Sequence, residues 1–177
     1  MSSLKATQAE REMYLPGDDI VPCADVVMDR AFTMARDPAD VWPWFVQLGK
    51  NRAGWYLPRI VESAIPRRGR ALRRIEPSRQ DLRVGSVIDD WGGRDAYFEV
   101  AIFEPPHVLV HRSRRGDISL SWAIVLRAHG VGVTRVHLRL RLAPIKRKFL
   151  VRVLGGLVDA LTIAGLAAGL RERVSRP

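Results

Sequence analysis

DPADVWPWFVQLGKNRAGWY, Asp37–Tyr56, is the stretch from which the rest of this 177-residue chain is read. Asp37 followed by Pro38 opens a helix: the carboxylate can accept orphan amides at the N-cap, and proline at the first helical position has no amide to waste there. Gly49 closes it. Val41, Trp44, Phe45 and Leu48 recur at helical spacing, and Trp42 leads a neighbouring strip. Any one of these side chains is most simply core. Their clustering with Trp55 and Tyr56, in the loop just after Gly54, points elsewhere. Trp and Tyr join a large apolar body to a polar tip, which suits a cavity rim. Trp44, Trp55 and Tyr56 are therefore the first candidates for ligand contact.

Outward from this block, Asp25–Ala35 reads as a strand. Leu57 or Pro58 to Ala64 reads as a second short helix ended by Pro66, since proline disfavours helical geometry in the residue before it. Arg67–Arg83 is arginine-rich and reads as an irregular, solvated connection. Five strands follow: Val84–Trp91, Tyr97–Phe103, Val108–Arg114, Ile118–Arg127 and Thr134–Leu142. They are separated by Gly92-Gly93, Pro105-Pro106, Gly116-Asp117 and His129-Gly130, the mark of an antiparallel meander. Thr134–Leu142 alternates most clearly. Val136, Leu138, Leu140 and Leu142 share an apolar face, and Arg135, His137, Arg139 and Arg141 share a face predicted to be wet. The same period turns Ile118, Leu120, Trp122, Ile124 and Leu126 inward, together with Phe98, Val100 and Ile102. Trp91, Phe98, Trp122 and Leu138 join the predicted ligand-facing set.

A long helix is predicted from about Lys146 to Arg173. Between Val153 and Leu170 its only charge is Asp159, so it is apolar nearly all round and needs cover on more than one side. The run approaches a membrane span in length, and Gly165-x-x-x-Gly169 matches a packing pattern of membrane helices. The cost of a mid-bilayer carboxylate, the glycines and a sheet face in need of a helix favour burial instead.

Composition fits this plan. Hydrophobic residues make up 47% of the chain, enough for one domain, taken as residues 23–177 behind an N-terminal arm, flexible or peripheral, over residues 1–22. The net charge of +10 is carried almost wholly by arginine. Cys23 is the only cysteine, so there is no internal disulfide and a reducing compartment is expected. The first nineteen residues are polar and mixed in charge, where an export signal needs an apolar run. A cytoplasmic setting is predicted, with membrane association left open.

The order strand, two short helices, antiparallel meander and long C-terminal helix resembles the helix-grip fold, class α+β, of the START and Bet v 1-like superfamily, also termed SRPBCC. The local resemblance is to a bacterial subgroup in which the first helix and loop read approximately A-x-P-x-x-V-W-P-W-L-x-Q-x-G-x-x-R-A-G-x-Y. Here those positions are Ala35, Pro38, Val41, Trp42, Pro43, Trp44, Gln47, Gly49, Arg52, Ala53, Gly54 and Tyr56, with Phe45 for the leucine. The resemblance implies a curved sheet gripping the long helix around an apolar cavity. Members bind lipids, sterols, polyketides or hormones, and a minority catalyse cyclisation or dehydration. Leu57-Pro58-Arg59-Ile60 departs from the subgroup, which often carries a polar or acidic residue after the tyrosine.

Motifs for other chemistry are lacking. His107 and His111 are four apart, but a strand holds such residues about 13 Å apart, too far for one metal ion. His129 and His137 read as surface histidines, and Asp89, Asp90 and Asp95 read as the polar residues of a hairpin turn. There is no G-x-S-x-G, H-E-x-x-H or P-loop. No metal and no cofactor are predicted. If catalysis occurs, Arg52, Tyr56, Asp90 and His111 are its candidates, each needing substrate in reach and a suitable pKa.

The arginines Arg67, Arg68, Arg70, Arg73, Arg74, Arg79 and Arg83, with Arg112, Arg114 and Arg115, offer a basic face to phosphates of an anionic membrane or of nucleic acid. No aromatic residues interleave with them, which disfavours nucleic acid. A homodimer would be another way to cover the long helix. The expected function is binding of a hydrophobic or amphipathic small molecule, such as a lipid, sterol or polyketide-like compound. The alternatives are a cyclase- or dehydrase-like enzyme and a basic membrane-surface or nucleic-acid-binding protein.

Overall fold

Period-two alternation shapes six strands: β1 (Val26–Met34), β2 (Val87–Asp89), β3 (Tyr97–Glu104), β4 (Val108–Arg115), β5 (Ile118–Ala128) and β6 (Thr134–Ala143). In this computed structural model, which describes residues 4–93 and 96–175, they form one antiparallel sheet in the order β1-β6-β5-β4-β3-β2. The helices are α1 (Gln8–Glu12), α2 (Pro38–Gln47), α3 (Arg59–Ser63), α4 (Lys148–Leu150) and α5 (Gly156–Val174), the last two joined by a π-helical stretch, Val151–Gly155. The sheet curves around α5 in the helix-grip, α+β arrangement. The predicted strand over Val84–Trp91 is only three residues long.

The core lies between the concave sheet face, α2 and the second half of α5. Ile163, Leu166, Ala167 and Leu170 are buried against Phe32, Ile124, Leu126, Val136, Leu138 and the α2 residues Val41 and Phe45. Each large aliphatic side chain so buried contributes about 1.5–3 kcal/mol. The helix predicted to be covered all round is covered only here. In its first half Phe149, Val153, Leu154, Leu157, Val158 and Leu161 are 53–81% exposed, because the sheet and α2 reach only the far half. Val153–Val174 is long and apolar enough to cross a membrane by length and composition, yet its second half is built into the core. Gly165-x-x-x-Gly169 serves packing within the chain. A Cβ on Gly169 would lie 2.6 Å from the Leu57 nitrogen and the Tyr56 carbonyl carbon, and one on Gly165 would meet the Leu57 side chain.

The outer face of β6 is largely covered. The arm predicted to be flexible or peripheral lies across it, burying Ala6, Leu15 and Val21; Lys5 bridges to Arg30. His137 and Arg139, expected at the surface, are 0% and 3% exposed. Asp29 Oδ1 accepts from Arg139 Nε at 2.8 Å and bonds His137 Nε2 at 2.7 Å. Arg139 also donates to the arm carbonyls of Glu10, Arg11 and Met13 and to Asp18. A second difference comes from a bulge between Val100 and Ile102 in β3. It adds one residue to the strand, so Ile102 turns outward onto Val108 and Val110 while Phe103 turns inward onto Trp42. A bulge of this kind inverts the alternation beyond it.

The arginine-rich connection is a brace. Arg70 donates to the Ile65 and Ser63 carbonyls, Arg73 pairs with Glu62 and Glu172, Arg74 with Glu76, and Arg79 donates to the Asn51 carbonyl. Arg112 pairs with Glu99 and Arg115 with Asp90. Much of the predicted basic face is therefore engaged within the chain, which weakens its case as a phosphate-binding surface.

Candidate ligand cavity

Where the sheet and α5 diverge, a cavity of about 710 Å³ opens between the concave face, the first half of α5 and the β2 turn. Its lining is mostly apolar and includes Met28 from β1, Phe45 and Leu48 at the end of α2, Leu120 and Leu140 from β5 and β6, and Val158 from α5. The Gly49–Tyr56 loop closes one side, and the residues that resemble the family motif hold that loop. Fully buried Gln47 donates to the Arg74 carbonyl at 3.1 Å and accepts from the Glu76 amide at 3.0 Å. Arg52 donates to the carbonyls of Val46 and Arg79. Gly54, at φ +82°, runs so close to Ala71 that a Cβ would sit 3.1 Å from it, so only glycine fits both demands. The outcome is a fixed Trp55, whose Nε1 reaches the Thr162 carbonyl on α5 at 3.4 Å.

Inside, aromatic rings form a continuous wall. Trp55 stacks on Trp122 at 6.2 Å between centroids and 28° between planes, and Trp122 stacks on His111 at 5.5 Å and 24°. Phe98 tilts against both Trp122 and His111, and Trp91 stands edge-on to Trp55 at the rim. Cross-strand pairing of His111 with Trp122 and with Val100 creates this arrangement. Arg115 lies over the Phe98 ring at 5.5 Å and pairs with Asp90. On the α5 side Asp159 faces Arg30 Nε at 2.9 Å, although neither atom meets the alignment of a hydrogen bond. Burial pushes the Asp159 carboxyl up and Arg30 opposes the shift.

His111 is 4% exposed and its Nδ1 has no hydrogen-bond partner. Burial pushes its pKa from 6.5 down to about 4. The unfolded chain therefore takes up a proton below about 6.5 that the folded chain refuses, and stability falls as pH drops from about 6.5 to about 4. Glu10 acts in a lower window. Its hydrogen bond with Arg135 holds it at about 2 against an ordinary 4.5, so its contribution is present above 4.5 and is lost as pH falls toward 2. Urea titrations across pH should show both declines. His111→Phe should abolish the upper one, worth at most about 3 kcal/mol, and leave the lower one in place.

Of the residues singled out in the sequence, Trp55, Trp91, Phe98, Trp122, Asp90 and His111 line this one cavity. Four do not. Tyr56 is fully buried under Arg173, whose guanidinium sits 4.7 Å from its ring, and donates its hydroxyl to the Trp44 carbonyl; burial raises its pKa, and it is a core residue. Trp44 packs edge-on against Tyr56 in that same core. Leu138 lies under α5, while Leu140, one pleat further along β6, is the residue that faces the cavity. Arg52 is engaged with the backbone carbonyls of Val46 in α2 and Arg79 in the connection. Asp95 lies outside the described residues. Sequence reasoning missed Arg115, grouped with the surface arginines, and Met28 and Thr162, which carry no local signal. Asp159 stood out in the sequence only as a misplaced charge.

No family model and no curated protein sequence matches the chain. Solved structures do. CalU16 from Micromonospora echinospora is 18% identical, with a TM-score of 0.54 over 84% of this chain and 80% of its own. Protein CV1439 from Chromobacterium violaceum is 15% identical, with a TM-score of 0.55 over 85% of this chain and 99% of its own. A norcoclaurine synthase mutant from Thalictrum flavum, solved with a transition-state analogue, is 12% identical, with a TM-score of 0.52 over 84% of this chain and 93% of its own. Such identities speak for architecture alone, and on that ground the chain shares with these structures the helix-grip, Bet v 1-like fold.

Proposed function

We propose that this protein binds a hydrophobic or amphipathic small molecule in the cavity between sheet and helix. The observation that carries this reading is the aromatic wall: Trp55, Trp122, His111 and Phe98 are packed face and edge along a mostly apolar space of about 710 Å³. That volume is in the range of small-molecule sites, where a mostly apolar lining supplies affinity and a few polar groups set orientation. Catalysis has weaker support. Of its four candidates only Asp90 and His111 line the cavity. Asp90 is engaged by Arg115, and a histidine held at about 4 is a poor proton acceptor at neutral pH.

The test is native mass spectrometry of the isolated protein, followed by titration with the compound recovered, read by tryptophan emission and thermal stability. Trp55→Ala is expected to weaken binding by about tenfold, the loss of one aromatic contact worth about 1.4 kcal/mol. Trp122→Ala should weaken it at least as much and also destabilise the fold, since Trp122 packs on the core. A Trp55→Ala protein of unchanged affinity would remove that residue from the site. Failure of fatty acids, sterols and aromatic compounds alike to bind would refute the reading.

A further inference from the structure

The first half of α5 is built inside out. A helix packed on a sheet ordinarily turns its apolar side chains inward and its charges to water. Here Asp159, the only charge between Val153 and Leu170, faces the sheet, where Arg30 Nε lies 2.9 Å away and the same guanidinium donates to the Gly156 carbonyl at 2.8 Å. Outward stand Leu154, Leu157, Val158 and Leu161, 56–66% exposed, preceded by Val153 at 53% and Phe149 at 81%. Large apolar side chains scattered singly over a surface need no explanation, but six on one short segment form a patch of the kind that marks an interface. The patch reaches the cavity mouth. Val158 belongs to both, and Trp91, another lining residue, is 53% exposed.

Charge decides what covers it. Lys146, Arg147 and Lys148 are exposed immediately before Phe149. Lys148 pairs with Asp25 at 2.5 Å, while Lys146 and Arg147 enter no ion pair among the described residues. A second copy of a chain of net charge +10 would bring the same cations to the contact. An anionic bilayer brings the opposite charge at its surface and an apolar layer just beneath it, which matches exposed cations beside exposed leucines. The other half of the helix forbids spanning: Ile163, Leu166, Ala167 and Leu170 are only 0–4% exposed, locked in the core. The helix can lie in the lipid interface but not cross it.

We infer that the first half of α5 docks on an anionic phospholipid bilayer, with Lys146 and Arg147 at the lipid phosphates and Phe149, Leu154, Leu157 and Leu161 in the interface. Docking in this way sets the cavity mouth against the lipid. It goes beyond the binding reading above, because it stands on the outer surface of the helix and not on what the cavity holds.

Flotation with vesicles of phosphatidylcholine alone and of phosphatidylcholine mixed with phosphatidylglycerol tests this. The protein is expected to bind the mixed vesicles about 25-fold more tightly than the neutral ones, from about fivefold for each of two cations. Part of that affinity should persist at high salt, where screening removes the charge attraction but not the apolar contact. Lys146→Gln with Arg147→Gln should remove most of the difference between the two kinds of vesicle. Leu157→Glu with Leu161→Glu should lower binding to the mixed vesicles by more than about tenfold, since two apolar anchors become anions facing anionic lipid. Both variants should melt close to the parent, because all four side chains are exposed and none lines the cavity. No binding to either kind of vesicle, equal affinity for both, or binding that survives the leucine changes would overturn the inference. So would a dimer in vesicle-free solution, seen by sedimentation, that the leucine changes dissociate, because the face would then belong to a second copy. A leucine variant that fails to fold would show that this face is covered within the native chain and would overturn it too. Each of these results leaves the cavity reading intact, which is tested by ligand titration without vesicles.

Discussion

Arg139→Leu is expected to cost about 3–5 kcal/mol, enough to unfold much of the population of a domain of ordinary stability. The side chain is 3% exposed and ties three parts of the chain together. Its Nε holds Asp29 on β1, one terminal nitrogen holds Asp18 and the Met13 carbonyl, and the other holds the carbonyls of Glu10 and Arg11. Leucine would leave the Asp29 carboxylate, 6% exposed, with His137 as its side-chain partner among the described residues. It would also leave the arm without its central donor. The penalty is mostly that of an uncompensated buried charge, so the double change Asp29→Leu with Arg139→Leu should recover a large part of the loss. Urea denaturation of the two single variants and the double variant measures this directly. Independent, additive losses would show that the arm is held by its apolar residues instead.

The same network shows where the sequence was legible and where it was not. Strands and their inward faces could be read because period-two alternation is local: Val136 to Leu142 and Ile118 to Leu126 fall where the pattern puts them. Alternation does not say what covers a face. Arg135, His137, Arg139 and Arg141 looked solvated because nothing in β6 announces that residues 4–22 will lie over them. Capping was likewise only half legible. Asp37 opens α2 as expected, yet its side chain makes no cap bond there and instead accepts from the Gly132 amide at 3.1 Å.

The cavity was legible in part for a related reason. Trp55, Trp122, Phe98 and His111 could be placed together because strand pairing and the motif loop bring them to one face. Leu138 and Leu140 share that face too, and only the path of α5 across the sheet decides which lies beneath the helix and which beneath the void. Tyr56 follows Trp55 directly but turns the opposite way, into the core. Its direction is set by Gly169, which lets the Tyr56–Leu57 backbone approach the helix, a contact separated by more than a hundred residues of sequence. Ile102 was misplaced by one inserted residue, and no composition marks that bulge.

Arg173→Met is the second substitution expected to have a large effect, of about 3 kcal/mol, and it acts on the wall behind the cavity. Arg173 is 3% exposed at the end of α5. It donates to the carbonyls of Leu72, Leu57 and Gly169 at 2.8–3.0 Å, pairs with Glu62 at 2.5 Å and covers the Tyr56 ring. One side chain thus joins α5, α3, the arginine-rich connection and the loop that carries Trp55. The cost should fall at the lower end of the range for a broken buried pair, because Arg73 still holds Glu62 at 2.8 Å after the change. Arg173→Lys should recover little of it, since one ammonium with three donors cannot serve a carboxylate and three carbonyls set around a planar fork. The substitution should also loosen Trp55, whose neighbour Tyr56 loses its cover, so that tryptophan emission shifts to the red in the folded variant and ligand affinity drops although Arg173 does not line the cavity. Thermal melts, emission spectra and binding on the same samples separate the outcomes. A stability loss with unchanged emission and affinity would mean that the Gly49–Tyr56 loop is held by Gln47 and Arg52 alone, and that the two ends of α5 do independent work: one fixes the core, and the other encloses the ligand.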